Sequence, residues 1–256
     1  MVVLVLLCGV LGLLVGSFLN VVIYRVPRDE SIVTPRSHCP NCDTELANRD
    51  NVPVVSWLVL RGKCRTCGNP ISVRYPLVEL LTGVLFALVA ARIGFHAALP
   101  AFLVLTAALV ALSMIDLDTF LLPKKIVYAA FGAGAGLLLV AGLVDGDTRG
   151  MAEAAGGAVI AWVVFRVINF VSPKGMGYGD VRLAGLVGLY LGWIELPLVG
   201  LGLFLAFLFA SVIGVGLIVT KLRTRKDRVP FGPFLALGAV TAILVGEPIL
   251  RIYLGR

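Results

Sequence analysis

Apolar residues in this chain do not alternate with polar ones; they run together. Eight such runs recur: Val2 to Tyr24, Pro76 to Ile93, Ala98 to Ile115, Ile126 to Val144, Ala152 to Val171, Val181 to Trp193, Leu196 to Thr220 and Phe231 to Tyr253. A helix of about 20 apolar residues crosses the roughly 30 Å of hydrocarbon in a bilayer. The runs are too long for barrel strands, and backbone groups in lipid must bond within their own segment. The pattern therefore predicts an all-α integral membrane protein, a polytopic bundle of about eight transmembrane helices. The sixth run is short, and its border with the seventh falls around Ile194 to Pro197. The first has neither a basic leading region nor an A-x-A cleavage site, so it is expected to be a span rather than a removed signal. Small residues such as "GAGAG" at Gly132 to Gly136 predict close helix approach there.

The polar interruptions are short except one. Residues 25–75 form an insertion long enough for a small domain, which gives three segments: 1–24, a first transmembrane helix; 25–75, the polar insertion; and 76–256, a core of about seven helices. Composition agrees, with 59% hydrophobic and 14% charged residues and a mean hydropathy of +0.99, outside the range of soluble domains. The net charge of +7 reads as a topology signal. Eight Lys and Arg lie in 25–75, Lys124 and Lys125 follow "DTFLLP", and "KLRTRKDRV" at 221–229 carries five more. With eight spans these loops share one side, which the positive-inside rule makes cytoplasmic. Arg251 and Arg256, near the C-terminus, run against that rule. The basic residues flank membrane helices with no recognition motif, so nucleic acid is not an expected partner and the lipid bilayer is.

Two C-x-x-C pairs stand in the insertion, "CPNC" (Cys39, Cys42) and "CRTC" (Cys64, Cys67). Each pair offers two thiolates from one tight turn, and four together suit a tetrahedral Zn²⁺ that would be structural, its coordination shell being full. Two disulfides or a redox dithiol are the alternatives; a reducing cytosol and the lack of a βαβ context weigh against them, and an iron centre or a metal-free fold remain. His38 adjoins the first pair and reads as an exposed loop histidine. Cys8 reads as a small buried residue and His96 as part of an outer loop.

Most acids lie where water can reach them. Glu79, Asp116, Asp118, Asp180 and Glu247 do not, and an acid at membrane depth marks a functional site by default. Asp116 ends the third run and Asp180 opens the sixth, both at the cytoplasmic end by the topology above. Two carboxyls in one shielded site share a proton, one serving as base on a water and the other as acid, which is aspartic-protease chemistry. Gly177 and Gly179 are expected to supply φ > 0 and a close approach to substrate, and a helix start favours Asp180. Asp118 ranks second to Asp116. From spacing alone, a proton relay in a transporter or simple helix capping remain open.

These residues lie in motifs that together resemble one family. "GSFLNVVIYRVPR" at 16–28, "CPNC", "RDNVPVVSWLVLRGKCRTCGNPISVRYPLVELLTG" at 49–83, "IDLDTFLLP" at 115–123 and "GMGYGDVRLAG" at 175–185 are similar, in order, to the motifs of the type IV prepilin peptidases, which with presenilin are GxGD membrane aspartyl proteases. The resemblance covers nearly the whole chain. It implies Asp116 and Asp180 as the catalytic pair, Gly177, Tyr178 and Gly179 as the active-site loop, and the four cysteines as zinc ligands. Arg182 stands where the family usually has lysine, keeping the charge but not the shape. It further implies cleavage after a glycine of the short basic leader of type IV prepilins and type II secretion pseudopilins, at the cytoplasmic face of the bacterial inner membrane. Many members then N-methylate the new N-terminus, often a phenylalanine, with S-adenosylmethionine. That activity rests on resemblance alone, with Glu79 a participant if it is not a locally paired helix-end acid; Glu247 faces the wrong side. A proton-coupled transporter using the same acids is the rival reading, and no pair of inverted halves supports it.

Overall fold

The computed structural model describes residues 1–173, 175–222, 224, 227 and 229–255. Of the basic 221–229 loop, Arg223, Arg225, Lys226 and Arg228 lie outside the described residues, as does Arg256. Among the described residues there is no strand, only two isolated bridges, and a long helix forms at each of the eight apolar runs. The chain divides into two compact units, Met1–Phe95 and His96–Arg256.

The first unit pairs α1 (Val2–Arg25) with α3 (Arg74–Ile93), the polar insertion with its short α2 (Val55–Val59) lying between them in sequence. Glycine sets their approach. A methyl group on Gly12 would stand 2.7 Å from the Thr82 carbonyl, and one on Gly16 2.7 Å from Glu79 Cα. Small residues let helix backbones meet where lipid offers no hydrophobic drive.

The second unit holds α4 (Leu99–Thr119), α5 (Lys124–Asp145), α6 (Thr148–Val171), α7 (Tyr178–Ile194), α8 (Leu196–Val219) and α9 (Gly232–Leu254). Proline in the first turn starts α4, α8 and α9, where a missing N–H costs nothing. Asp147 caps α6, its Oδ1 accepting from Gly150 N at 2.8 Å. The uncertain border near Ile194 resolves into a single extended residue, Glu195, between α7 and α8.

Among the described residues seven helices are long and apolar enough to cross a membrane; α7, at 17 residues and about 26 Å, falls just short. It nonetheless runs the length of its unit. Its first turn lies beside Leu122, while at its far end Trp193 lies near Gly142 and Leu196 N donates to Glu153 Oε2 at 3.2 Å. Nearly all its residues from Asp180 to Trp193 are buried by α5, α6, α8 and α9, so α7 meets protein rather than lipid and has no need to match the bilayer's full thickness.

The "GAGAG" segment proves less important for packing than expected. Gly132 and Gly136 face open space, and of the three only Gly134 packs, against Tyr190. The tightest pair is α6 with α7, where Gly157, Gly188 and Gly192 bring the backbones together. A Cβ at Gly188 would overlap the Gly157 carbonyl. Gly188→Val is therefore expected to lower stability by about 1–3 kcal/mol, the usual cost of overpacking, seen as a fall in Tm of the detergent-solubilised protein. Gly132→Ala, with nothing near its Cβ, should leave Tm unchanged or raise it.

Candidate active site and metal centre

Asp116 lies on the last full turn of α4, one residue after the fully buried Ile115. The helix stops just beyond it because Phe120 turns left-handed (φ 55°) and its N–H closes on the Asp116 carbonyl at 2.9 Å. The Asp116 side chain is 5% exposed, and its Oδ2 accepts from Gly232 N at 2.9 Å, a bond that joins the end of α4 to the start of α9. Gly232 has to be glycine for this contact: a Cβ there would stand 2.7 Å from the same oxygen.

Asp180 is the third residue of α7 and is 8% exposed. Its Oδ2 reaches back to accept from Gly177 N at 3.1 Å, the acid half of a capping box, and the positive end of the helix favours a carboxylate there. The loop before it is pinned to α6, since Asn169 Nδ2 donates to the Met176 carbonyl at 2.8 Å. Neither loop glycine adopts the φ > 0 expected from sequence. Gly177 is extended (φ −73°), and Gly179 is helical and is not among the positive-φ glycines. What Gly179 provides is contact: a Cβ on it would meet Leu122 Cβ at 2.9 Å.

Leu122 therefore joins the two halves of the site, touching Gly179 on one side and Gly232 on the other. The carboxyls of Asp116 and Asp180 lie within electrostatic range of each other. The structure buries both, at the ends of α4 and α7 that adjoin Leu122, and leaves Asp118 exposed near the end of α4. Tyr178 is exposed, with the Arg182 guanidinium 4.6 Å from its ring centre and Arg166 at 5.9 Å. Arg182 also lies 5.7 Å from the Tyr128 ring, and its Nε is buried with no hydrogen-bond partner among the described residues. Sequence reasoning passed over Gly232, Leu122 and Asn169. The Gly-Pro at the head of the last run marks a helix start but not the contact of Gly232 with Asp116.

Glu79 is buried, with Oε2 accepting from Val54 N at 2.7 Å, so it has the local partner that was the simpler expectation. It fixes the start of α2 against α3, and Val54, at φ 61°, holds a backbone conformation costly for a β-branched residue. Glu247 is half-buried on α9. His96 lies 3.4 Å from Asp145 at the opposite end of the unit from the aspartates.

The insertion contains one small structure twice. Cys39 N donates to Thr44 O (3.0 Å), Asp43 N to Cys39 O (2.9 Å) and Leu46 N to Ser37 O (2.8 Å); Cys64 N donates to Asn69 O (2.8 Å), Gly68 N to Cys64 O (3.0 Å) and Ile71 N to Gly62 O (2.7 Å). Each partner recurs at one constant offset along the chain, and both turns close through a left-handed residue, Asp43 and Gly68. The two knuckles face each other: the four Sγ atoms lie within 4.8 Å of one another, with Cys39 and Cys67 at 3.8 Å. Four sulfurs about 2.3 Å from a tetrahedral ion stand about 3.8 Å apart, so the group can hold a metal. Backbone N–H groups of Cys67 and Thr66 aim at the Cys64 sulfur and lower its thiol to about 6; the hydroxyl and N–H of Thr44 lower that of Cys42. Both favour the thiolates that bind metal. His38 is exposed, beside the Arg36 carbonyl, and is not one of the four.

Arg65, next to Cys64, ties the second knuckle to Asp50, with Nε 3.0 Å and 3.1 Å from the two carboxylate oxygens and Nη2 2.6 Å from Oδ1. The hydrogen-bonded guanidinium holds the Asp50 carboxyl below its usual range. Its stabilisation is then present in full above the ordinary carboxylate range and lost as pH falls through the depressed value. Limited proteolysis of the insertion should show protection declining on that acid limb, and Asp50→Asn should flatten the dependence.

Comparison with known proteins agrees with this layout. Residues 10–93 match the bacterial peptidase A24 N-terminal domain and residues 103–219 the type IV leader peptidase family. A prepilin leader peptidase/N-methyltransferase of Aeromonas hydrophila is 39% identical, over 95% of this chain and 91% of its own length. The chain belongs to the type IV leader peptidase family. Proteins of the same description from Stutzerimonas stutzeri and Pseudomonas aeruginosa are 39% and 38% identical, each over 97% of this chain and 93% of its own length. No solved structure matches the chain. The boundary between the two family segments falls where the two compact units divide, so in this leader peptidase the cysteines belong to the first unit and both aspartates to the second.

Proposed function

We propose that this multi-pass membrane protein removes the basic leader of type IV prepilins and pseudopilins at the cytoplasmic face of the bacterial inner membrane, with Asp116 and Asp180 as its catalytic pair. The observation that supports this most directly is that two buried acids, one at the end of α4 and one at the start of α7, stand at the same end of the unit, each held through one oxygen by the N–H of a glycine. One carboxylate takes a proton from a water as the water oxygen attacks the scissile carbonyl carbon. The other carboxyl then protonates the amide nitrogen, the C–N bond breaks, and a carboxylate on the leader and an amine on the mature chain are released. The buried surroundings keep bulk water from the pair and strengthen its electrostatic action.

The same chain N-methylates the amine so formed, with S-adenosylmethionine supplying the methyl group; the names of its relatives support this step. Zn²⁺ is the metal suited to Cys39, Cys42, Cys64 and Cys67, all-sulfur and close to tetrahedral spacing, and it would brace the insertion of residues 25–75. Incubating the purified protein with a prepilin in detergent tests the whole reading. The expected products are the free leader and, with the methyl donor present, a mature chain heavier by about one CH₂. An intact precursor after prolonged incubation refutes the peptidase assignment, and a cleaved but unmodified product refutes the methyltransferase alone.

A further inference from the structure

One apolar stretch, Val52 to Leu60, lies inside the polar insertion, and no step of the proposed reaction uses it. Its nine residues are far too few to cross a bilayer. It folds around the single turn α2 with the usual polarity reversed. Ser56 points inward and is buried, its hydroxyl donating to the Arg49 carbonyl and accepting from Val52 N, each at 2.9 Å. Val55, Leu58 and Val59 are 55%, 61% and 70% exposed, and their spacing of three and four residues puts them on one helix face. A turn surrounded by water would show its serine and bury its valines.

The height of α2 is fixed by its ties to α3. Glu79, whose Oε2 accepts from Val54 N at 2.7 Å, stands five residues, or about 7.5 Å, into α3, and its side chain leans back towards the helix start. Trp57 Nε1 donates at 3.0 Å to the carbonyl of Ile71, three residues ahead of the same helix. Asn20 Nδ2, near the end of α1, donates to the Tyr75 carbonyl at 3.2 Å, so the two helix ends are level here. Each helix is long and apolar enough to cross a membrane, and each carries an exposed tyrosine at this end, Tyr24 and Tyr75, a residue type that collects at the membrane–water boundary. The turn α2 is therefore held at that boundary with its apolar face exposed.

Charge selects what covers this face. Arg61 and Lys63, both exposed, follow α2 directly. They attract the phosphates of anionic lipids and repel a basic leader. Three side chains protruding from one convex turn also make no groove to seat a peptide helix. A single turn is too small to hold a free protein on a membrane, but α1 and α3 already keep it there, so little association cost remains. We infer that α2 is an interfacial anchor, with Val55, Leu58 and Val59 sunk into the acyl region of the adjoining leaflet and Arg61 and Lys63 among its headgroups. The Trp57 ring lies against Gly62, where a Cβ would stand 2.9 Å from it, so the anchor also holds the second cysteine knuckle at the membrane surface. The inference needs only that α1 and α3 span the membrane, and it stands or falls apart from the peptidase reading.

The test uses the full chain in nanodiscs containing phosphatidylglycerol, with the photoreactive residue benzoylphenylalanine in place of Leu58 or Val59, and in place of Glu45 as the control. Glu45, in the first knuckle, is solvated beside Arg36 at 3.9 Å. After irradiation, mass spectrometry is expected to find lipid joined at 58 and 59 and none at 45. Cross-links from 58 and 59 to another stretch of the chain make the face a protein contact, and no cross-link at either leaves it in water. Each of these results, or lipid at all three positions alike, overturns the anchor. Should the replacements unfold the insertion, hydrogen exchange of the unsubstituted chain decides. Amides of residues 55–59 should exchange at least about fivefold more slowly in phosphatidylglycerol nanodiscs than in phosphatidylcholine ones, the factor that one basic residue contributes at an anionic surface. Equal rates in the two lipids overturn the anchor.

Discussion

Asp116→Asn and Asp180→Asn should each slow leader removal by at least about 10³-fold, within the range that a positioned acid or base contributes. Asparagine is the informative substitution because it preserves nearly everything else. Its side-chain oxygen can still accept from Gly232 N or Gly177 N, its volume is the same, and removing a charge from a buried place does not weaken the fold. Tm should therefore hold while turnover collapses. The double variant should be scarcely slower than either single one, since two groups that share one proton act as a unit. If either single variant retained a tenth of the wild-type rate, the pair would not be the catalytic machinery. The transporter alternative makes the opposite set of predictions: no hydrolysis in the wild type, and proton uptake into vesicles that depends on both acids.

The parts of this architecture that depend on hydrophobic length were legible in the sequence, and those that depend on fit were not. The eight long helices among the described residues follow from apolar runs, and for the seven long enough to cross a membrane the lipid is itself a constraint on composition. The placing of Asp116 and Asp180 at one end of the bundle followed from counting spans. The knuckles followed from C-x-x-C spacing, since tight turns are local. Gly232 could not be found in this way. Its N–H reaches Asp116 from far along the chain, and nothing in "FGPF" states that an oxygen lies 2.7 Å from the position of its missing Cβ. The same holds for the α6–α7 pair, where one of many glycine patterns was used for packing and the more conspicuous "GAGAG" was largely left to face open space. The φ > 0 expected at Gly177 and Gly179 shows the point most directly. Glycine is used there for close contact, with no unusual backbone, and sequence does not distinguish these two uses.

Cys64→Ser should remove the bound metal altogether and loosen the insertion while sparing hydrolysis. The insertion has a small core: among the described residues of 25–75 the buried apolar side chains are Cys39, Pro53 and Cys64, and such segments are ordinarily stabilised by a metal or disulfides. Structural zinc in small modules contributes on the order of 10 kcal/mol to folding, far more than the Asp50–Arg65 bridge on the surface. Elemental analysis of the wild type should give one zinc per chain and of the variant none, and trypsin should then cut at Arg61 or Lys63, which the closed knuckle protects. The aspartate pair lies in the other compact unit, so leader removal should fall by less than about tenfold, set against the 10³-fold expected for either aspartate. A wild type without stoichiometric metal, or a Cys64→Ser protein that keeps it, rules out the tetracysteine site as its holder. A loss of hydrolysis as deep as that of Asp116→Asn would instead show that the metal unit orders the catalytic one, and the two units would have to be treated as one cooperative structure.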